Sequence, residues 1–176
     1  MIRTIVTLTG VLALAGCATI GIEGPGAPGV SVELKDARGQ TVGTATLTER
    51  SGKVTVVVQA RGLTPGRHGI HIHAVGRCDP PAFTTAGGHY NPGGRKHGLE
   101  AVEGPHAGDL PNLVADSSGT TRYEATTDLI TLREGPLSVF DGDGSAIVIH
   151  AKEDDQKTDP TGNSGDRVAC GVILRR

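Results

Sequence analysis

Six of the chain's seven histidines fall where they could share metal ions. His71-Ile72-His73 comes first. On a strand, residues two apart point to the same face, so these imidazoles can converge on one ion. Imidazole is a favoured ligand of both copper and zinc. Alone, such a pair also occurs by chance on exposed strands. His89, His97 and His106 follow, with Asp109 three residues past the last. Three imidazoles and a carboxylate suffice for a closed zinc site. They lie in a stretch, 79–111, that is dense in Gly, Pro, His and Asn and poor in apolar periodicity. A connection of that length needs something to hold it, and a metal supplies that hold. The competing reading is a scatter of solvated loop histidines. His150 ends an apolar run and is the remaining candidate ligand, although a lone histidine there is more often structural. His68 precedes a glycine and has no evident partner.

The elements that must position these residues read as strands. The 176 residues contain no Trp, two Tyr and two Phe, so Val, Ile, Leu and Ala carry the core, and 27 glycines punctuate it. Period-two alternation marks a strand over 30–35, and the turn at Ala37-Arg38-Gly39 returns it as 42–48. Further strands are predicted at 53–60, 67–73, 112–115, 120–127, 145–150 and 167–174. A second long loop, 151–166, is polar and charged. Short β-branched runs with glycine turns point to an all-β sandwich or barrel in one domain. The formal charge of −2, and the lack of any basic run interleaved with aromatics, exclude a nucleic-acid partner.

The first residues read as targeting rather than fold. Arg3 precedes an apolar run, Ile5 to Ala15, too short to span a bilayer as a permanent helix. Its end, Leu14-Ala15-Gly16-Cys17, resembles the lipobox of bacterial lipoprotein signal peptides. That resemblance implies a signal peptide over 1–16, lipidation of Cys17, a flexible tether over 17–29 and a folded domain over 30–176. It further implies export to the bacterial cell envelope, with a membrane anchor and the domain facing the periplasm or the exterior. An ordinary signal peptide cut nearby would instead leave Cys17 an incidental thiol. If Cys17 carries lipid, Cys78 and Cys170 remain as an even pair in an oxidising compartment, either one disulfide or two free thiols.

Longer motifs carry a second resemblance. Gly69-Ile70-His71-Ile72-His73, Gly87-Gly88-His89-Tyr90-Asn91-Pro92, Lys96-His97-Gly98 and His106-Ala107-Gly108-Asp109-Leu110 are similar to those of the copper/zinc superoxide dismutases. So is the run from Gly162 to Gly171. The likeness covers about 30–174, in the family's order and spacing. It implies a Greek-key β-sandwich, or flattened barrel, of about eight antiparallel strands with two long functional loops. It also implies one copper and one zinc per subunit, with superoxide dismutated to oxygen and hydrogen peroxide. His71, His73, His89 and His150 match the copper ligands, and His89, His97, His106 and Asp109 the zinc ligands. His89 thereby bridges the metals and exchanges the catalytic proton. Asp154 matches the aspartate that orients His71 and His97 from behind. Arg167 matches the arginine beside the open copper position, where an ion pair with Asp166 is its plainer role. Cys78 and Cys170 match the family's disulfide. Members of the family differ in oligomeric state, and a homodimer is compatible with the sequence. Acidic residues crowd the second loop, and Arg167 with Lys157 is expected to supply most of the local attraction for an anion.

Overall fold

The structure, a computed structural model, describes residues 29–175. The signal peptide, Cys17 and nearly all of the tether lie outside the described residues. Nine strands follow in chain order: β1 (Gly29–Asp36), β2 (Thr41–Arg50), β3 (Lys53–Ala60), β4 (Gly66–His68), β5 (Ile70–His73), β6 (Leu113–Ala115), β7 (Thr121–Thr127), β8 (Ser145–His150) and β9 (Arg167–Ile173). Seven form one sheet in the order β5-β8-β9-β1-β2-β3-β7, and β4 pairs with β6. Every ladder is antiparallel. The short β4–β6 ladder joins the chain ahead of one edge strand, β5, to the chain ahead of the other, β7. The sheet therefore curls into a flattened barrel. From β7, at one edge, the chain crosses to β8, next to the other edge, which is the long return of a Greek key.

The predicted strand over 67–73 is two strands with different partners. β4 pairs with β6, whereas β5 pairs with β8. The break falls at Gly69, whose N–H donates to the Lys152 carbonyl and whose carbonyl accepts from His150 N–H, 2.8 Å each. A Cβ at Gly69 would stand 2.8 Å from that of Ser164, so the close approach needs glycine.

Alternation divides the side chains as a half-buried sheet requires. Val30, Val32 and Leu34 of β1, Ala45 and Leu47 of β2, and Val54, Val56 and Val58 of β3 all enter one core. In β5, Ile70 and Ile72 join that core, which turns His71 and His73 to the opposite face. β8 is buried on both faces. Ile147 and Ile149 meet the main core, while Ala146 and Val148 pack with Phe83, Ala86 and Cys170 under the first long loop. Cys78 and Cys170 form a disulfide with Cα atoms 5.7 Å apart, tying that loop to β9.

The connection 128–144, for which no role is evident in the sequence, closes one end of the core with Ile130, Leu132 and Val139. Buried Glu49 anchors it, accepting hydrogen bonds from Thr131 Oγ1, Leu132 N–H and Arg133 Nε.

Candidate metal centre

β5 and β8 bring the first histidines together by register. His71 lies opposite Val148 and His73 opposite Ala146, and His150 ends the same strand two residues beyond Val148. The first long loop delivers His89 beside His73 through an isolated bridge, and Asp109 beside His71 through another. Gly108 permits the second approach, since a Cβ there would lie 2.2 Å from the Ile72 carbonyl oxygen. Ligand atoms of His71, His73, His89 and His150 fall within 4.8 Å of one another, as do those of His89, His97, His106 and Asp109. His89 belongs to both groups.

Hydrogen bonds settle which atom each ring offers. His71 gives Nε2–H to Asp154 Oδ2 at 2.7 Å, leaving Nδ1 buried with no partner. His73 Nδ1 donates to the Gly87 carbonyl and His150 Nδ1 to the Gly165 carbonyl, so both offer Nε2, and those two atoms lie 3.4 Å apart. His89 Nε2 is likewise buried and unpartnered. Two neutral rings with lone pairs facing at that distance, and two orphaned ring nitrogens beside them, leave four acceptors converging with no donor among them. A cation is the group that satisfies such a set.

The second group is built around one carboxylate. Asp109 Oδ2 accepts from Gly98 N–H at 2.8 Å and His106 N–H at 3.0 Å. Its Oδ1 is thereby aimed at Nδ1 of His89, His97 and His106, at 3.0, 3.1 and 3.5 Å. Three imidazole nitrogens and one oxygen form the donor set of a closed zinc site.

Asp154 ties the groups together from behind. Oδ2 takes His71 Nε2 and Oδ1 takes His97 Nε2, at 2.7 and 3.0 Å. Gln156 N–H adds a third bond at 2.6 Å, and Asn112 clamps the Asp154 main chain, donating to its carbonyl and accepting from its N–H. Asn112 and Gln156 carried no signal in the sequence, one reading as a strand start and the other as loop. Gly162 makes room for the junction, for a Cβ there would fall 1.7 Å from Asp154 Oδ1. His68, without a partner in the sequence reading, sits 2.7 Å from the carbonyl oxygens of both His150 and Thr64 and fixes the strand end that carries His150.

Burial sets the charge states. It pushes His71 down to about 3 and His150 to about 4, and His73 well below its ordinary value, so these rings keep lone pairs free. His97 moves oppositely: burial pulls it down, but hydrogen bonds to Asp109 and Asp154 outweigh this and raise it to about 9. Burial would raise Asp109 and Asp154, yet their histidine partners hold both well below the usual carboxylate range.

Arg167 is not paired with Asp166. Its Nη1 and Nη2 donate to the carbonyls of Phe83 and Gly87, at 2.7 and 2.6 Å. The Gly87 oxygen thus serves Arg167 and His73 together. A cleft of about 510 Å³ lined by Pro81, Ala82, Thr84, Gly165, Asp166 and Arg167 opens there. Lys157 pairs with Glu100 at 2.8 Å on the exposed surface, which offsets part of its charge.

Known proteins resemble this chain in sequence and fold. A sequence model of the family described as copper/zinc superoxide dismutase (SODC) matches residues 41–173. Superoxide dismutase (Cu-Zn) 2 of Aquifex aeolicus is 46% identical over 143 residues, covering 80% of this chain and 84% of the relative. Its counterpart in Caulobacter vibrioides is 41% identical, with 80% and 82% covered. Among solved structures, Cu/Zn superoxide dismutase from Brucella abortus aligns with a TM-score of 0.70 at 29% identity, over 83% of this chain and 99% of that one. A SOD-like protein from Bacillus subtilis aligns with a TM-score of 0.79 at 37% identity, over 82% and 97%. With both histidine groups inside the matched span, the chain belongs to the copper/zinc superoxide dismutase family of oxidoreductases.

Proposed function

We propose that the chain dismutates superoxide to oxygen and hydrogen peroxide with one copper and one zinc per subunit. His71 Nδ1 and the Nε2 atoms of His73, His89 and His150 would hold copper. Nδ1 of His89, His97 and His106, with Asp109 Oδ1, would hold zinc. The observation that carries this reading is the pair of buried ring nitrogens without a protein partner, His71 Nδ1 and His89 Nε2, each inside a cluster of ligand atoms. Copper supplies one-electron exchange with superoxide in both directions, and zinc a fixed positive charge.

The chain's own residues account for binding and proton movement. Arg167, held by two carbonyls at the cleft, gives the incoming anion a permanent positive charge. His89 can hold a proton at Nε2 while Nδ1 stays among the zinc ligands, and that proton is one of the two that peroxide needs. Asp154 keeps His71 and His97 in their tautomers throughout. The test is the dismutation rate of the metal-loaded chain. A kcat/KM approaching about 10⁸–10⁹ M⁻¹s⁻¹ supports the reading, with a steep loss in Arg167→Met. A fully loaded but inactive chain refutes it.

The same proposal anchors the enzyme in the cell envelope through Cys17, following cleavage of residues 1–16, where it removes superoxide before it damages envelope components. Support comes from the Leu14-Ala15-Gly16-Cys17 sequence and from the disulfide, a bond that persists in oxidising compartments. Labelling by radioactive palmitate that survives Cys17→Ser overturns the lipid anchor. Undiminished resistance to externally generated superoxide in cells lacking the protein overturns the protective role.

A further inference from the structure

We infer that Asp159 is a positioning residue for the zinc set, holding His106 and His97 so that their Nδ1 atoms face Asp109. Each zinc-side ring has a second nitrogen to account for. That of His89 is turned to the copper side, and that of His97 is taken by Asp154 at 3.0 Å. His106 Nε2 is left. Among the described residues, the one carboxylate oxygen within ion-pair range of it is Asp159 Oδ1, at 3.7 Å.

The same oxygen accepts the His97 main-chain N–H at 2.8 Å, and Oδ2 lies 3.4 Å from Lys96 Nζ. A residue of the second loop is thus fixed by three residues of the first. Metal-binding histidines characteristically turn their other N–H to a carboxylate, which sets the tautomer and orients the ring. With its proton on Nε2, facing Asp159 Oδ1 at 3.7 Å and beyond direct hydrogen-bond distance, His106 presents Nδ1, 3.4 Å from His89 Nδ1 and 3.5 Å from Asp109 Oδ1. Asp159 also orients His97, through its main chain, while Asp154 orients the ring of the same residue. The second loop therefore grips the zinc set at two carboxylates, one buried and one 40% exposed at its outer rim. Its plainer role is the surface ion pair with Lys96, which Lys96→Gln isolates.

The inference rests on His106 belonging to the zinc set. The experiment is zinc binding by the full chain in competition with a chelator. Asp159→Asn keeps an oxygen for His97 N–H but removes the charge facing His106. Zinc affinity should fall about 10–100-fold, while copper affinity, titrated with zinc in place, stays unchanged. Asp159→Glu should recover part of the loss, and Lys96→Gln should leave zinc affinity unchanged. Imidazole nitrogen NMR gives a readout that mere loop stability would not move. In the zinc-loaded wild type, His106 should carry its proton on Nε2, and that proton should exchange with water faster in Asp159→Asn. Unchanged zinc affinity in Asp159→Asn, or an equal loss in Lys96→Gln, overturns the assignment. A wild-type chain that binds no zinc sinks the metal-site reading instead.

Discussion

Replacing Asp154 by Asn should injure copper binding more than zinc binding, and the asymmetry can be worked from three hydrogen bonds. Oδ1 accepts two, from His97 Nε2 and Gln156 N–H, whereas Oδ2 accepts one, from His71 Nε2. An asparagine keeps two favourable contacts and loses one by placing its oxygen at the doubly bonded position. Its NH₂ group then faces the N–H of His71, donor against donor, in a fully buried setting. An unmatched buried donor costs about 1–3 kcal/mol, equivalent to about 5- to 150-fold in an equilibrium constant. The ring can escape by moving its proton to Nδ1, the atom proposed to bind copper, so the cost reappears in copper affinity. His97 keeps its acceptor, and zinc affinity should change little. The assay is chelator competition for each metal separately, with the visible absorption of bound Cu(II) as a second monitor. Zinc affinity falling as far as copper affinity, or copper affinity holding at its wild-type value, would falsify the argument.

Three further outcomes follow from geometry already described. Opening the disulfide in Cys78→Ser/Cys170→Ser releases a loop spanning a separation of 92 residues; chain entropy assigns it about 4.6 kcal/mol, about 9–18 °C in Tm for a domain of this size. Calorimetry giving a shift under about 4 °C would contradict the entropic account. In Gly162→Ala the new methyl would fall 1.7 Å from Asp154 Oδ1 and 2.7 Å from His97 Nε2, at φ +60, so carboxylate or loop must move. Affinity for both metals should drop about 10–100-fold, and unaltered affinities would mean that the loop yields without disturbing Asp154. For Glu49, burial alone would raise the carboxyl pKa, but hydrogen bonds from Thr131, Leu132 and Arg133 outweigh it and the pKa is lowered. A depressed carboxyl stabilises the fold above its unfolded value, about 4.3, and that contribution is lost as pH falls through the folded value. Glu49→Gln should therefore cost about 2 kcal/mol at neutral pH, with the gap from wild type closing on acidification; denaturant unfolding that shows a constant gap would contradict the linkage.

Periodicity made much of this legible in the sequence. Val30, Val32 and Leu34, or Val54, Val56 and Val58, announce one buried face each, and the same rule turns His71 and His73 outward as a pair. The ligands in the first loop were legible for a different reason, since a segment too poor in apolar residues to order itself has to be held by something else. What escaped depends on contacts between residues far apart in the chain. The break at Gly69 is set by Lys152 and Ser164, neither visible from local pattern. Asn112 looks like an ordinary strand-end polar residue until Asp154 arrives beside it. Lys157 looks like a free cation until Glu100, from the other loop, meets it. The connection 128–144 forms neither strand nor helix, and its anchor, Glu49, belongs to the β2–β3 hairpin.

The disulfide also divides the site by connectivity. Between Cys78 and Cys170 the oxidised chain is a closed covalent ring, and His89, His97, His106, Asp109, His150, Asp154 and Arg167 all lie on it. His71 and His73 lie off it, on the segment leading in. The proposed zinc ligands therefore all lie within the ring, and from His89 to Asp109 they are also close in sequence. The proposed copper ligands do not, because His71 and His73 reach the site on β5, which pairs with β8 from outside the ring. The proposed zinc set is thus drawn wholly from within one covalent ring, whereas the proposed copper set is complete only where β5, outside the ring, pairs with β8.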